Sequence, residues 1–314
     1  MQFEEKYMHR CLQLAAYGRG FTAPNPMVGA VIVYNDKIIG EGFHRKYGEP
    51  HAEVNAIASV KDERLLKEST LYVNLEPCSH YGKTPPCSEL IIRKQIPRVV
   101  IGQIDPFPEV SGNGIQKLKE AGVEVACGIL EKECKELNKN YLTFTQQHRP
   151  YIILKWAQSA DGFLDKFREE GDGQKPIRFS NDFTQMLVHK LRAEEAAIMI
   201  GKRTKLLDKP ALNVRFWKGN DPEKIVADSS KTLQEQLTEL YGKNIQSLLV
   251  EGGSKLLHSF LAENLWDETQ IEVAPIFLEE GVRAPILLNG VLQNVQKCEN
   301  STLFLYSNLK KYKY

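Results

Sequence analysis

A strand-and-helix alternation that runs out near Arg149-Pro150 and then starts afresh constrains this chain more than any other feature of its sequence. Ahead of that point, residues 3–17 carry helical periodicity, with Tyr7, Cys11, Leu14 and Ala15 on one side, until Gly18 and Gly20 end it. Residues 28–34 and 37–42 are apolar, β-branched runs around Asn35-Asp36, the pattern of a β-hairpin. Helix is expected over 51–60, 86–94 and 115–121, and strand over 70–75, 98–101 and 123–126. The polar stretch 131–147 reads as helix leading to the boundary. Beyond it, strand is expected over 151–156, 196–201, 224–227 and 247–250, and helix over 183–192, 233–241 and 254–262. Strands that alternate with helices predict layered α/β domains. The chain's 314 residues suffice for two cores, and the boundary divides 1–148 from 149–314.

Charge narrows the function. Lys and Arg total 41 against 40 Asp and Glu, a formal net charge of +1, so the overall balance gives no sign of the basic surface that long nucleic acid demands. The first residues are acidic rather than basic-then-apolar, and no apolar run is long enough to cross a bilayer. The six cysteines form no compact disulfide framework, and a cytoplasmic protein is expected.

The chemistry-bearing pattern is His51-Ala52-Glu53, followed by Pro77-Cys78 and then Pro85-Pro86-Cys87. One imidazole and two thiolates suit zinc, and three protein ligands leave a tetrahedral position open to water, the mark of a catalytic site. Glu53, two residues after His51, could face that water as a proton shuttle without being a ligand. His-x-Glu with a later Pro-Cys pair is the signature of zinc deaminases, although here eight residues separate the cysteines instead of two. Taken singly, His51 reads as an ordinary histidine and the cysteines as small apolar residues or a structural zinc site. Their coincidence with a carboxylate favours catalysis. In the second half, Glu251-Gly252-Gly253 falls between an apolar strand and a helix, where an α/β sheet presents a ligand crevice. No Gly-x-Gly-x-x-Gly follows a first strand, so a standard dinucleotide fold is not indicated.

The stretches 23–29 (Ala-Pro-Asn-Pro-Met-Val-Gly), His51-Ala52-Glu53 and 76–87, with its long loop ending Gly-x-Thr-Pro-Pro-Cys, resemble the bifunctional riboflavin-biosynthesis deaminase–reductase family. That loop separates the family from cytidine, deoxycytidylate and tRNA-adenosine deaminases. The resemblance continues through Lys155, Ser159, Asp161 and Gly162, then 201–204, Asp208, Pro210, Leu212 and Arg215, and last 250–253 and Ala274-Pro275. It implies an N-terminal cytidine-deaminase-like three-layer α/β domain and a C-terminal dihydrofolate-reductase-like α/β domain. It further implies that the first removes the 2-amino group of a diamino-ribosylamino-pyrimidinone 5′-phosphate with zinc, and that the second reduces the ribosyl group to ribityl with NADPH. Zinc would sit on His51, Cys78 and Cys87, with Glu53 catalytic and Asn25, His44 and Lys83 lining the pocket. Lys155, Arg192, Leu212, Arg215 and Glu251 would hold the substrate of the second step. Gln158, Thr204, Asp208, Ser229 and Gly253 would contact NADPH, as would the turn Ser254, Lys255, Leu256, Leu257, His258 and Ser259. Family resemblance also implies a homo-oligomer, dimer or tetramer.

The sequence departs from the family twice. Arg178-Phe179-Ser180-Asn181 stands where a tryptophan-containing motif is usual, with Phe179 nearby. The stretch after Asp228-Ser229 is short where another strand and helix are usual, which would trim the edge of the sheet and part of the cofactor's adenosine side. A rival reading follows, in which only deamination is catalysed and the C-terminal half is a vestigial or oligomerisation module.

Overall fold

A computed structural model describes residues 4–81, 85–107, 111–171 and 173–309. The chain forms two compact units, Met1–Gln147 and His148–Tyr314. No helix among the described residues is long and apolar enough to cross a membrane.

The first unit runs α1 (Glu5–Ala16), β1 (Gly29–Tyr34), β2 (Lys37–Phe43), α2 (Ala52–Ala58), a 3-10 turn (Glu63–Glu68), β3 (Thr70–Leu75) and α3 (Cys87–Arg93). It continues with β4 (Arg98–Gln103), α4 (Asn113–Glu120), β5 (Glu124–Cys127), α5 (Glu131–Leu137) and α6 (Lys139–Gln147). Its strands lie in the order β2-β1-β3-β4-β5, antiparallel on either side of β1 and parallel from β3 onward. Side chains alternate across a strand, so each strand feeds two cores. On one face Ile32, Leu71, Val73, Val99 and Ile101 meet α2, α3 and α4 through Ala56, Ile91 and Leu118. On the other, Val31, Val33, Tyr72 and Val100 meet α1 and α5 through Met8, Cys11 and Cys134. The result is three layers. The expected helix over 131–147 is two helices, because Asn138 breaks it by turning its side chain to the backbone of Met27.

The second unit runs β6 (Tyr151–Ser159), β7 (Phe163–Asp165), α7 (Asp182–Glu194), β8 (Ala197–Ile200), α8 (Lys202–Asp208), β9 (Glu223–Val226) and α9 (Leu233–Gly242). Then come β10 (Ser247–Val250), α10 (Ser254–Ala262), β11 (Glu268–Ala274), β12 (Val282–Arg283), β13 (Gly290–Cys298) and β14 (Ser301–Asn308). Seven strands form one sheet in the order β13-β14-β11-β6-β10-β8-β9. The five from β11 to β9 are parallel, while β14 and β13 close the other side antiparallel. Leu237, Leu240, Leu257 and Phe260 of α9 and α10 cover one face. Leu191 of α7 and Leu212 cover the other, against Tyr151, Ile153, Ile198 and Leu249. The four-residue β9 ends the sheet. The strands after residue 267 have no counterpart in the sequence reading.

Candidate active sites

In the first unit, the ends of three elements meet. His51 is the N-cap of α2, its extended backbone (φ −70°, ψ 165°) turning the ring away from the helix it opens. Cys78 follows β3 through the rigid Glu76-Pro77 step, and Cys87 is the first residue of α3. The His51 Nδ1 lies 3.6 Å from the Cys78 sulfur and 3.4 Å from the Cys87 sulfur, and all three ligand atoms fall within 4.8 Å of one another. Nitrogen and sulfur at about 2.0 and 2.3 Å from one tetrahedral zinc stand roughly 3.5 Å apart, so these residues fit that ion. The Cys87 backbone N–H donates to the Cys78 sulfur at 3.3 Å, and the Ser88 N–H donates to the Cys78 carbonyl at 3.1 Å. The first turn of α3 thus holds both cysteines in place.

Glu53 sits in the first turn of α2 and is almost wholly buried. Burial pushes its carboxyl up to about 7, with Cys78 adding to the shift and His51 opposing it. A hydrogen bond to Cys78 pulls His51 up to about 9 against its own burial. The bond between the sulfurs holds Cys78 down at about 4 and drives the Cys87 thiol well up, so the two carry one negative charge between them. A dication supplies the charge that lets both sulfurs ionise, and it displaces protons as it binds.

His44 and Asn25 stand beside this cluster. The His44 ring is edge-on to His51, with centroids 5.6 Å apart, and its Nδ1 lies 3.2 Å from the Pro50 carbonyl. A carbonyl only accepts, so Nδ1 carries the proton and Nε2 accepts from the Asn25 amide nitrogen at 3.1 Å. The Asn25 amide oxygen is thereby left to accept from a ligand. Lys83 lies outside the described residues.

Three anchoring residues escaped the sequence reading. Asn138 accepts the Met27 N–H at 2.8 Å and donates to the Met27 carbonyl at 2.9 Å. Asn74 does the same across Met27 and Gly29, accepting from Gly29 at 2.8 Å and donating to Met27 at 3.1 Å. Both are buried, and together they fix the 25–29 segment that carries Asn25. Glu76 accepts four backbone N–H groups, from Asp105, Gly112, Gly114 and Ile115.

In the second unit, Arg192 on α7 donates twice to Glu251, from Nε at 3.0 Å and Nη2 at 2.5 Å. Its Nη1 reaches the Asn213 carbonyl at 3.3 Å, while Arg215 Nη1 reaches the Asn213 side-chain oxygen at 2.8 Å. Leu212, held at φ 49°, is buried against Leu191. Lys155 is half-buried and, two residues past Ile153 on β6, lies on the same face, the one that α7 covers. Arg192, Leu212, Arg215 and Glu251 are therefore brought together.

The cofactor candidates divide. The Gly253 N–H donates to Thr204 Oγ at 3.1 Å, joining the start of α8 to the start of α10. A Cβ on Gly252 would lie 2.7 Å from the Leu256 side chain, so glycine lets the strand turn into α10 without displacing that leucine. A helix N-terminus favours an anion, which fits a dinucleotide phosphate at the start of α10. Ser254 instead donates to the Arg283 carbonyl at 2.8 Å, and the Leu257 side chain is spent in the core. Lys255, His258 and Ser259 are exposed along α10, beside half-buried Leu256. Asp208 is ion-paired to buried Arg168 at 2.6 Å, Gln158 accepts from Trp156 at 2.8 Å, and Ser229 is exposed just past β9. Where a tryptophan motif is usual, Arg178 reaches Asp182 at 2.7 Å and Phe179 is buried.

Residues 1–103 match the model of the cytidine and deoxycytidylate deaminase zinc-binding region, and residues 150–304 match that of the RibD C-terminal domain. A riboflavin biosynthesis protein RibD of Aquifex aeolicus is 38% identical, the match covering 90% of this chain and 89% of the relative. The chain belongs to the RibD family. A crystal structure from Thermotoga maritima, described as a diaminohydroxyphosphoribosylaminopyrimidine deaminase and 5-amino-6-(5-phosphoribosylamino)uracil reductase, superposes with a TM-score of 0.89 at 32% identity. It is covered over 99% of its length by 98% of this chain. RibD of Acinetobacter baumannii gives 0.88 at 31% identity, with coverage of 98% and 99%. As a RibD protein, the chain is an enzyme of riboflavin biosynthesis with a zinc-dependent deaminase and an NADPH-dependent reductase activity. Its two α/β units have the cytidine-deaminase-like and dihydrofolate-reductase-like architectures that the resemblance implied. Deamination alone is not favoured, because residues 150–304 match the RibD C-terminal domain and the Thermotoga structure is covered over 99% of its length.

Proposed function

We propose that residues 1–148 deaminate a diamino-ribosylamino-pyrimidinone 5′-phosphate, and that residues 149–314 reduce the deaminated product's ribosyl group to ribityl. The observation that carries the first assignment is the His51, Cys78 and Cys87 cluster with buried Glu53 beside it. Bound zinc lowers the pKa of a water molecule and so supplies a nucleophile at neutral pH. Glu53 takes a proton from that water and passes it to the departing amino group. Water adds at the ring carbon, the carbon–nitrogen bond breaks, and ammonia leaves. Burial beside the metal ligands gives Glu53 a fixed place from which to accept and return a proton. The Asn25 amide oxygen, oriented by His44, accepts an N–H from the pyrimidine, and Lys83 pairs with its phosphate.

In the second unit, NADPH supplies the hydride that reduces C1 of the sugar. Arg192 and Arg215 bind the substrate phosphate, since guanidinium groups match phosphate oxygens bidentately. Glu251 fixes the Arg192 fork by its own paired bond. Leu212 shapes the pocket floor, and Lys155 faces the reacting carbon and assists the protonation that accompanies reduction. Gln158, Thr204, Asp208, Ser229, Gly253 and residues 254–259 form the dinucleotide side. The enzyme works in the cytoplasm as a homo-oligomer.

The test is a coupled assay on zinc-loaded protein with the diamino-pyrimidinone phosphate, following ammonia and NADPH separately. Both signals are expected. Ammonia without NADPH loss would overturn the assignment of the second unit, and no ammonia would overturn that of the first.

A further inference from the structure

His189 is a buried titratable side chain to which neither reaction assigns a role. It lies on α7, three residues before Arg192, and is 3% exposed. Its Nδ1 accepts the backbone N–H of Arg215 at 2.9 Å. A backbone N–H can only donate, so Nδ1 carries no proton and the ring is neutral. Phe216 packs against the ring edge-on, with centroids 4.8 Å apart. One helical turn further on, Arg192 reaches the Asn213 carbonyl, and the Arg215 guanidinium reaches the side chain of the same asparagine. Leu212 is buried against Leu191 of the same helix. Loop 212–216 is therefore gripped by His189, Leu191 and Arg192 of α7, and its backbone, rather than its charge, is what His189 holds.

We propose that His189 is a positioning residue for the reduction: by accepting the Arg215 N–H it holds the Arg215 guanidinium beside that of Arg192, where both meet the substrate phosphate. This rests on the reading of Arg192 and Arg215 as phosphate ligands. The charged groups that face the ring are Arg192 on its own helix, Arg215 on the loop and Glu251 beyond β10. Burial and the two guanidinium groups disfavour the charged ring, and Glu251 and the Asn213 backbone oppose them. Protonation at Nδ1 would set one N–H against another and release the loop.

The experiment uses the full-length zinc-loaded enzyme and the deaminated intermediate, with and without its 5′-phosphate, following NADPH oxidation. His189→Ala is expected to raise KM for the phosphorylated intermediate about three- to tenfold, the worth of one hydrogen bond. The kcat, the KM for the dephosphorylated intermediate and the rate of ammonia release are expected to hold. His189→Asn, whose side-chain oxygen can take the place of Nδ1 without titrating, should restore KM. It should also abolish the rise in KM expected of the wild type as pH falls below the ordinary histidine range, where burial and the two guanidinium groups place the ring's protonation. Equal rises in both KM values, a loss confined to kcat, or failure of His189→Asn to restore KM would each overturn the proposal. Arg215→Met separates the two levels of the argument. If it leaves the KM of the phosphorylated intermediate unchanged, the phosphate reading itself falls. If it raises that KM while both His189 variants behave as wild type, only the role of His189 falls. Should His189→Ala fail to fold, the pH profile of His189→Asn decides the question alone.

Discussion

Replacing Glu76 by glutamine should detach the Cys78 turn from the rest of the first unit. The carboxylate is buried and shares four N–H donors between two oxygens. One oxygen takes Gly114 at 2.9 Å and Ile115 at 3.2 Å, and the other takes Gly112 at 3.0 Å and Asp105 at 3.3 Å. Three of these donors belong to the start of α4, where a negative charge also complements the helix dipole. The packing is close enough that a Cβ on Gly114 would lie 2.1 Å from the Pro77 carbonyl. A carboxylate can satisfy all four donors because it only accepts, whereas an amide must turn its NH2 toward two of them. Two charge-assisted bonds are lost at about 1.5 to 3 kcal/mol each, a total of roughly 3 to 6 kcal/mol. Set against the about 5 to 15 kcal/mol of a typical domain, that leaves the unit close to unfolding. The expected drop in its midpoint is about 10 °C or more. Because the chain has two units, the readout must be specific to the first: zinc release into a chromophoric chelator during a thermal ramp, with NADPH-dependent reduction as the control for the second. A Glu76→Gln protein that releases zinc within about 2 °C of the wild type, less than 1 kcal/mol for a unit of this size, would refute the reasoning.

Asn138→Ala removes two bonds to the Met27 backbone, so the deaminase KM should rise several-fold, and stability should fall by about 2 to 3 kcal/mol. Unchanged KM and urea midpoint would show that Asn74 alone holds the segment. Glu53→Gln keeps the zinc ligands but cannot shuttle a proton; metal analysis should show full occupancy while ammonia release falls about 10²- to 10⁴-fold. Zinc uptake should release about two protons at neutral pH, one from His51, raised to about 9, and one from the raised Cys87 thiol. Affinity measured by chelator competition should therefore climb with pH through the range 6.5 to 8, and a pH-independent affinity would contradict the protonation states derived for the cluster.

The legible parts of the site are those whose chemistry is written in residue type and short spacing. His51, Glu53, Cys78 and Cys87 needed only strand–helix junctions to bring them together, and the junctions were readable from periodicity. Thr70–Leu75 has the ends that its apolar run indicates, and Ser247–Val250 and Ser254–Ala262 those that Gly252-Gly253 between them indicate. Glu76, Asn74, Asn138 and His189 left no such trace. Each bonds a backbone group 26 to 111 residues away, and a side chain that serves a distant backbone imposes no period on its neighbours. Asn138 shows the cost to a sequence reading, since the polar run around it is good helix and only the far-off Met27 makes breaking it worthwhile.

The antiparallel edge was unread for a related reason. Along β13 most side chains are exposed, so no alternation of apolar and polar residues marks it, and its place is fixed by the pairing of Val295 with Phe304 and Cys298 with Ser301. The opposite edge was legible only as an absence. There β9 ends the sheet at four residues, and its Glu223 and Lys224 are exposed. Short, charged edges resist pairing with other chains. The Arg192–Glu251 pair is carried by α7 and by the turn just past β10, and Arg215 by the 212–216 loop that His189 of α7 holds, so none of these residues lies on the β9 edge strand.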